Sequence, residues 1–219
     1  MIELISLSGG TFLQGRDNQD SNHQNETPAH WVEVEPFAIG KFPVTQWQWR
    51  EISKLPVHVI DLVSCPSYHS GSNYPVECIN FDEALEFCNR LSIYTGDVYR
   101  LPTESEWEYA CRAGTSSLYN TGESLSQYEA NFDNHHTTRV EAFSPNDFGI
   151  HDMHGNIWEW CDSNYTPDYH KGHKTNDCKK VVRGGSFLLG SKDCTSTRRN
   201  WSERTYQCRT LGFRVVKEL

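Results

Sequence analysis

Two acidic residues flank a tight turn in residues 146–160, whose sequence is NDFGIHDMHGNIWEW. Asp152 and Glu159 offer carboxylate oxygens, and Gly155 and Ile157 can offer backbone carbonyls on the same Gly-Asn turn. Calcium takes six to eight hard oxygen ligands of these kinds. The stretch therefore offers oxygen donors that suit calcium. The alternative is that both carboxylates only accept backbone N–H groups within the turn.

Thiols are the second chemically active group, with eight cysteines at positions 65, 78, 88, 111, 161, 178, 194 and 208. None of them forms a CxxC pair, so the spacing does not support a zinc ribbon. In a reducing compartment most of them would be free thiols that pack as small apolar groups.

The third candidate is the segment between Phe187 and Thr210, which has no clear helical or strand period. It mixes large apolar and aromatic side chains with several arginines, and such residues dominate binding hot spots. A loop of this length in a compact chain is usually functional or disordered, and the aromatic content favours order. An irregular connection without a ligand is the alternative.

Short strands flank this segment. Val181-Val182 before it and Val215-Val216 after it are β-branched pairs in runs bounded by glycine, which is typical of strands. Near the start of the chain, residues 30–34 alternate between apolar and polar side chains, which also predicts a strand.

Three helices are predicted. The first covers residues 46–54 and the third runs from Thr103 to Gly114, because each begins with an S/T-x-x-E/Q capping box. The second begins after Asn80 and stops at Gly96, since its apolar residues recur at i, i+3, i+4 and i+7.

The third helix carries Glu104, Glu106 and Glu108. Residues two positions apart point to different sides of a helix, so these carboxylates are not spaced as an acid/base pair. We expect them to cap the helix and to be solvated.

Composition limits the class of protein. The 219 residues suit one large domain better than two small ones. Mean hydropathy is −0.67 and 37% of residues are hydrophobic, yet seven Trp, ten Tyr and ten Phe can form a core of large aromatics. A net charge of −9 and a pI of about 5.5 argue against binding to nucleic acid or to an anionic membrane.

No apolar run reaches the roughly 20 residues of a membrane span, and no signal-peptide pattern opens the chain. A cytoplasmic protein is therefore expected.

Three stretches resemble the formylglycine-generating-enzyme (sulfatase-modifying factor) domain, which has a C-type-lectin-like fold. They are YRLPTESEWEYACRAGT at 99–115, the 146–160 stretch, and VVRGGSF, CTSTRRN and GFRVV in the C-terminal region. The resemblance extends from Gly9 to Val216. It implies a single domain over residues 1–219, of irregular α+β class, with short strands and about three helices. It also implies that Asp152, Gly155, Ile157 and Glu159 match the calcium ligands of the family.

The enzymes of this family oxidise a substrate cysteine with copper(I) held by two cysteine thiolates, five residues apart after a GGS sequence. The matching positions here are Leu189 and Cys194. Copper(I) prefers soft thiolate ligands, and leucine cannot supply one. The resemblance therefore implies neither copper nor catalysis, with a copper-dependent formylglycine-generating oxidase as the alternative function.

The same family includes the variable proteins of diversity-generating retroelements, whose last few dozen residues are rewritten by adenine-directed mutagenesis. We therefore expect a non-catalytic ligand-binding protein whose variable region spans residues 187–210, with a protein or other macromolecule as its partner. The candidate binding residues are Phe187, Leu188, Leu189, Ser191, Asp193, Arg198, Trp201, Ser202, Arg204, Tyr206, Gln207 and Arg209. Ser186, Cys194, Arg199 and Asn200 are expected to belong to the framework.

Overall fold

A computed structural model describes residues 2–17, 21–170 and 173–219. Its α-helices in this part of the chain are α1 (Gln46–Ser53), α2 (Phe81–Thr95) and α3 (Glu104–Arg112). Each begins with a complete capping box, in which the cap side chain and the side chain three residues later satisfy each other's backbone N–H groups. All three predicted helices are confirmed. The last one turns into the left-handed conformation at Ala113, one residue before the predicted Gly114.

Ten strands lie in the described residues. They are β1 (Leu4–Leu7), β2 (Gly10–Gln14), β3 (His30–Val34), β4 (Phe37–Gly40), β5 (Tyr99–Arg100), β6 (Trp158–Asn164), β7 (Lys179–Arg183), β8 (Arg199–Glu203), β9 (Leu211–Gly212) and β10 (Val216–Glu218). They form a sheet of order β1-β4-β10-β5, a β2-β3 hairpin, and a sheet of order β8-β7-β6-β9. Only the β6–β9 pair is parallel among these ladders. The irregular α+β class with three helices is confirmed.

Strand β8 lies inside the segment that the sequence left without a period. It pairs antiparallel with β7, with Trp201 opposite Val181 and Arg199 opposite Arg183. Its sequence, RNWSE, is mostly polar because it is the outer strand of the sheet, and its hydrogen-bonding partner comes from β7. The expectation of an aperiodic loop is therefore wrong for these five residues.

The core is built from large aromatics, as the composition predicted. Trp49 of α1 stacks on Phe87 of α2 with ring centroids 5.7 Å apart, and Phe213 meets Phe87 edge-on at 5.2 Å. Trp158 at the start of β6 belongs to the same buried cluster. A second cluster surrounds Trp107 of α3, which is fully buried. Across the described ranges, no helix is both long and apolar enough to cross a membrane.

Candidate functional site

Buried ion pairs fix the strands β7 and β8, at the beginning of the C-terminal segment, to α3. Arg199, at the start of β8, donates to both oxygens of Glu104, with N–O distances of 2.6 and 3.0 Å. Arg183, at the end of β7, donates to Glu108 and approaches Glu104 at 3.4 Å. Burial alone would raise the pKa of Glu104, but the neighbouring Arg199 and Arg183 outweigh it and hold that pKa below its usual range. The four side chains therefore form a buried charged network.

This network corrects one expectation about α3. Glu104 and Glu108 are buried, not solvated, because they lie four residues apart on the helix face that meets β7 and β8. Glu106 does act as a cap, since it accepts the backbone N–H of Thr103 at 2.7 Å and also pairs with Arg100. The i,i+4 spacing of Glu104 and Glu108, together with Arg183 directly before the GGS sequence, was the signal that could have indicated the buried pairs.

The second end of the segment is fixed through Glu159. Arg214 donates to both of its oxygens at 2.6 and 2.7 Å, and the indole N–H of Trp107 donates to one of them at 2.7 Å. All three residues are buried. Glu159 is thus neutralised by a side chain of the GFR sequence.

Asp152, the other predicted acidic calcium ligand, has a different environment. Its carboxylate accepts the backbone N–H of Glu141 at 3.3 Å. Burial raises the pKa of Asp152 to about 7, and the charge of Glu159 adds to the effect while Arg214 opposes it. The structure therefore brings the two predicted carboxylates close enough to repel each other.

The predicted carbonyl ligands lie on the tight turn between these carboxylates. Gly155 has a φ of +78° and donates its N–H to the carbonyl of Gly184 at 2.7 Å. A Cβ at Gly155 would come within 2.3 Å of the carbonyl oxygen of Asn131, so only glycine is accommodated. Ile157 is buried at the entry to β6. Among the described residues, no three His, Cys, Asp or Glu side chains converge as a metal-ligand group.

The two positions that match the copper site hold one thiol. Cys194 is fully buried against Ala130 and Phe132, and burial raises its pKa to about 12. Leu189 is half-buried and packs against the aromatic cluster of α1 and α2. At neutral pH the thiol of Cys194 is therefore protonated.

The predicted binding residues differ in exposure. Leu188, Trp201, Tyr206, Gln207 and Arg209 are exposed. Those that are half-buried are Leu189, Ser191, Asp193, Arg198, Ser202 and Arg204. Phe187 departs from the prediction because its side chain is fully buried, with its ring 5.4 Å from that of His69, so it cannot contact a ligand.

The predicted framework residues Ser186, Cys194 and Arg199 are buried. Asn200 departs from the prediction, because it is exposed and its side chain accepts the N–H of Trp201. Alternation along the outer strand β8 places it on the opposite side from the buried Arg199.

Several of the predicted binding residues contact neighbouring side chains. Trp201 lies under the ammonium group of Lys179, 3.8 Å from its ring centroid. Arg204 pairs with Asp82 at the start of α2. The remaining contacts are Gln207 with Glu83, Arg209 with the ring of Tyr68, and Arg198 with Asp193. The segment thus covers one sheet edge and the beginning of α2.

Comparison with known proteins places this architecture in a family. The model of the sulfatase-modifying factor enzyme 1-like domain matches residues 1–219. The formylglycine-generating enzyme of Mus musculus is 29% identical, over 100% of this chain and 76% of that protein. The inactive C-alpha-formylglycine-generating enzyme 2 of Mus musculus is also 29% identical, over 84% of this chain and 74% of that protein. Serine/threonine-protein kinase pkn1 of Chlamydia pneumoniae is 27% identical, and this chain spans only 38% of its length.

Solved structures share the fold. PvdO from Pseudomonas aeruginosa superposes with a TM-score of 0.86 at 26% identity, covering 99% of this chain and 94% of that one. Treponema denticola variable protein 1 gives a TM-score of 0.81 at 22% identity, covering 99% of this chain and 95% of that one. At that identity the second likeness shows the fold alone.

Proposed function

The chain belongs to the sulfatase-modifying factor enzyme 1-like domain family, and within it we propose a non-catalytic protein that binds a macromolecular ligand through its C-terminal segment. The main support is a difference in burial between the arginines and the aromatic residues of the C-terminal region. Arg183, Arg199 and Arg214 are buried in ion pairs, whereas Trp201 and Tyr206 between them are exposed. This arrangement separates the residues that hold the fold from those that can contact a partner.

A copper-dependent formylglycine-generating oxidase is the second candidate, because relatives are named formylglycine-generating enzymes. A copper(I) site of the family type needs two thiolates. Leu189 has no thiol, so only Cys194 remains of the two matching positions. Incubation of the copper-loaded protein with a Cys-x-Pro-x-Arg peptide should give no aldehyde product. Aldehyde formation with turnover would favour the oxidase.

We also propose that the exposed positions are diversified, as in the variable proteins of retroelements. The support is that Leu188, Gln207 and Arg209 are exposed within a segment whose flanking residues Ser186 and Leu211 are buried. Sequencing the 3′ end of the gene from many isolates tests this idea. Changes should concentrate at exposed codons that match adenines in a nearby template copy, beside a reverse-transcriptase gene. Equal change at the buried Ser186 and Arg199 codons would contradict it.

Ligand binding itself can be tested with a surface variant. Trp201, Tyr206 and Arg209 are changed together to Ala, whereas Arg204 is kept because it pairs with Asp82. Surface substitutions usually change stability by less than about 0.5 kcal/mol each, so the melting temperature should change little.

A matched control replaces three exposed aromatics elsewhere, Trp31, Tyr94 and Tyr128. A partner captured from a lysate of the source organism should be lost with the surface variant and kept with the control. If both variants capture it equally, the C-terminal segment is not the binding surface.

Calcium is the proposed ion at Asp152, Gly155, Ile157 and Glu159. Its support is the half-buried Asp152, whose pKa is raised to about 7 by desolvation and by the charge of Glu159, with Arg214 offsetting part of the effect. Two carboxylates and two backbone carbonyls are a suitable donor set for this ion, and a divalent cation would offset the repulsion. Arg214 and Trp107 already donate hydrogen bonds to the Glu159 carboxylate, so Glu159 can bind the ion only through the lone pairs that these bonds leave free.

A thermal melt tests this site. A ligand that binds only the folded state adds about 2.7 kcal/mol at a concentration of 100 times its Kd, so calcium should raise the melting temperature over an EDTA control. Asp152→Ala should remove the increase. This variant is preferable to one at Glu159, whose loss would also break the pair with Arg214. Identical melts with calcium and with EDTA would exclude the site.

A further inference from the structure

Two cysteines that are distant in the sequence meet beside the C-terminal segment. Cys78 precedes α2, and Cys208 precedes β9. The backbone N–H of Cys78 donates to the carbonyl of Cys208 at 3.0 Å. Both residues are half-buried, so small reagents can reach them.

Neighbouring contacts hold the same two parts of the chain together. The thiol of Cys78 lies against a backbone group of Tyr68. The guanidinium of Arg209, the residue after Cys208, lies 5.6 Å from the ring centroid of Tyr68. The thiol groups of Cys78 and Cys208 are also close enough for the charge of one to affect the other. The backbone hydrogen bond and the shared neighbour Tyr68 thus place the two cysteines side by side.

This geometry suits a disulfide. The N–O distance of 3.0 Å between Cys78 and Cys208, together with standard backbone bond lengths, holds their Cα atoms less than about 7 Å apart. Disulfides usually join Cα atoms that are about 4.4–6.8 Å apart. The other six cysteines are also free thiols, and Cys88, Cys111, Cys161 and Cys194 among them are buried.

We propose that Cys78 and Cys208 are an oxidisable pair that forms a reversible intramolecular disulfide with a low-molecular-weight disulfide, such as oxidised glutathione, as the oxidant. The Cys208 thiolate attacks the oxidant, and one glutathione thiolate leaves. The Cys78 thiol then loses its proton and attacks the Cys208 sulfur, which releases the second glutathione. Two protein thiols are oxidised, and one glutathione disulfide is reduced to two thiols.

The environment of Cys78 determines how this reaction depends on pH. Burial raises the pKa of Cys78 to about 12, and the adjacent Glu77 adds to the effect. Because the thiolate is the attacking species, the closing step is slow at neutral pH and accelerates about tenfold per pH unit below that pKa. Because closure is slow, the disulfide accumulates only when the oxidant persists.

Closure would tie the residues around Tyr206 to the chain that precedes α2. In the reduced protein, Arg204 and Gln207 hold this region through partly exposed contacts with Asp82 and Glu83, and such contacts contribute little stability. The effect of closure on ligand binding rests on the proposed function, but the disulfide itself does not.

The experiment treats the full chain with mixtures of reduced and oxidised glutathione at pH 8.5, traps free thiols by alkylation and maps the peptides by mass spectrometry without reduction. A peptide that joins Cys78 to Cys208 and lacks two hydrogen atoms is expected. The ratio of disulfide to dithiol protein should rise in proportion to the concentration of oxidised glutathione divided by the square of that of reduced glutathione, and the rate of formation should fall about tenfold at pH 7.5.

Cys65 and Cys178 are the internal control, because both are exposed. They should carry glutathione adducts under the same conditions. In a Cys78→Ser variant, Cys208 should stop at the glutathione adduct. Separate adducts or free thiols at Cys78 and Cys208 in the wild-type protein, while Cys65 and Cys178 react, would overturn the proposal. This readout needs no ligand, so its failure would leave the proposed binding function untouched.

Discussion

Arg199→Ala tests whether the buried arginines anchor the C-terminal segment. The Arg199 guanidinium donates to both oxygens of Glu104 and to the carbonyls of Asn25 and Thr166 at 2.9 Å, and it stacks on Tyr169 at 4.4 Å. Only 1% of its surface is exposed. The substitution removes all of these contacts and leaves the Glu104 carboxylate buried.

Breaking a buried pair by removing one partner costs about 3–5 kcal/mol, because the other charge stays uncompensated. Arg183 remains 3.4 Å from Glu104 and offsets part of this, so we expect about 3 kcal/mol. A domain stabilised by about 5–15 kcal/mol would remain folded at 25 °C with a clearly lower denaturant midpoint. The matched control Arg209→Ala removes an exposed arginine whose ring contact is worth about 0.5–1 kcal/mol.

The pH dependence distinguishes a lost ion pair from lost packing. In the wild type, Arg199 and Arg183 overcome the effect of burial and depress the folded-state pKa of Glu104, so its stabilisation is present above the unfolded pKa of about 4.3 and is lost as the pH falls. Without Arg199, burial raises the pKa of Glu104, and protonation then removes the uncompensated buried charge that destabilises the variant. The difference in unfolding free energy between the two proteins should therefore shrink as the pH falls from 7 to 4.

Urea denaturation at each pH, followed by tryptophan fluorescence, measures this difference. If Arg199→Ala costs no more than Arg209→Ala, or if its cost does not change with pH, the anchoring argument is wrong.

Three further predictions concern the framework. Trp158→Ala should cost about 3–5 kcal/mol, because Trp158 fills the aromatic cluster, and a cost below 1 kcal/mol in denaturation would contradict that role. Asn80→Ala should cost about 1 kcal/mol by removing the cap of α2, whereas Asn80→Gly should cost only a few tenths, and equal costs would exclude the capping role. In native thiol labelling, Cys65 and Cys178 should react fast and Cys194 only at the rate of unfolding, so equal rates would show that Cys194 is accessible.

Local chemistry in the sequence determined the helices and several strands. Each capping box joins residues three positions apart, so Thr45, Asn80 and Thr103 mark helix starts without reference to the rest of the chain. The alternation in residues 30–34 indicated β3 for the same reason. The sequence alone also shows that position 189 has no thiol, because this depends only on the type of residue there. The calcium ligands remain a prediction.

Contacts between distant parts of the chain decided the rest. Strand β8 forms because β7 supplies its hydrogen bonds, and its own residues carry no strand signal. Phe187 is buried and Asn200 is exposed because the surrounding elements, and not their residue types, determine accessibility.

The charged and thiol pairs follow the same principle. A glutamate on α3 is indistinguishable in sequence from a solvated one until folding brings Arg183 and Arg199 over it, and that proximity is what offsets its cost of burial. Cys78 and Cys208 likewise show no spacing pattern in the sequence. A backbone hydrogen bond between distant segments brings them together. Sequence determined the interactions within one helical turn or one strand, and tertiary structure decided which charges and thiols face each other.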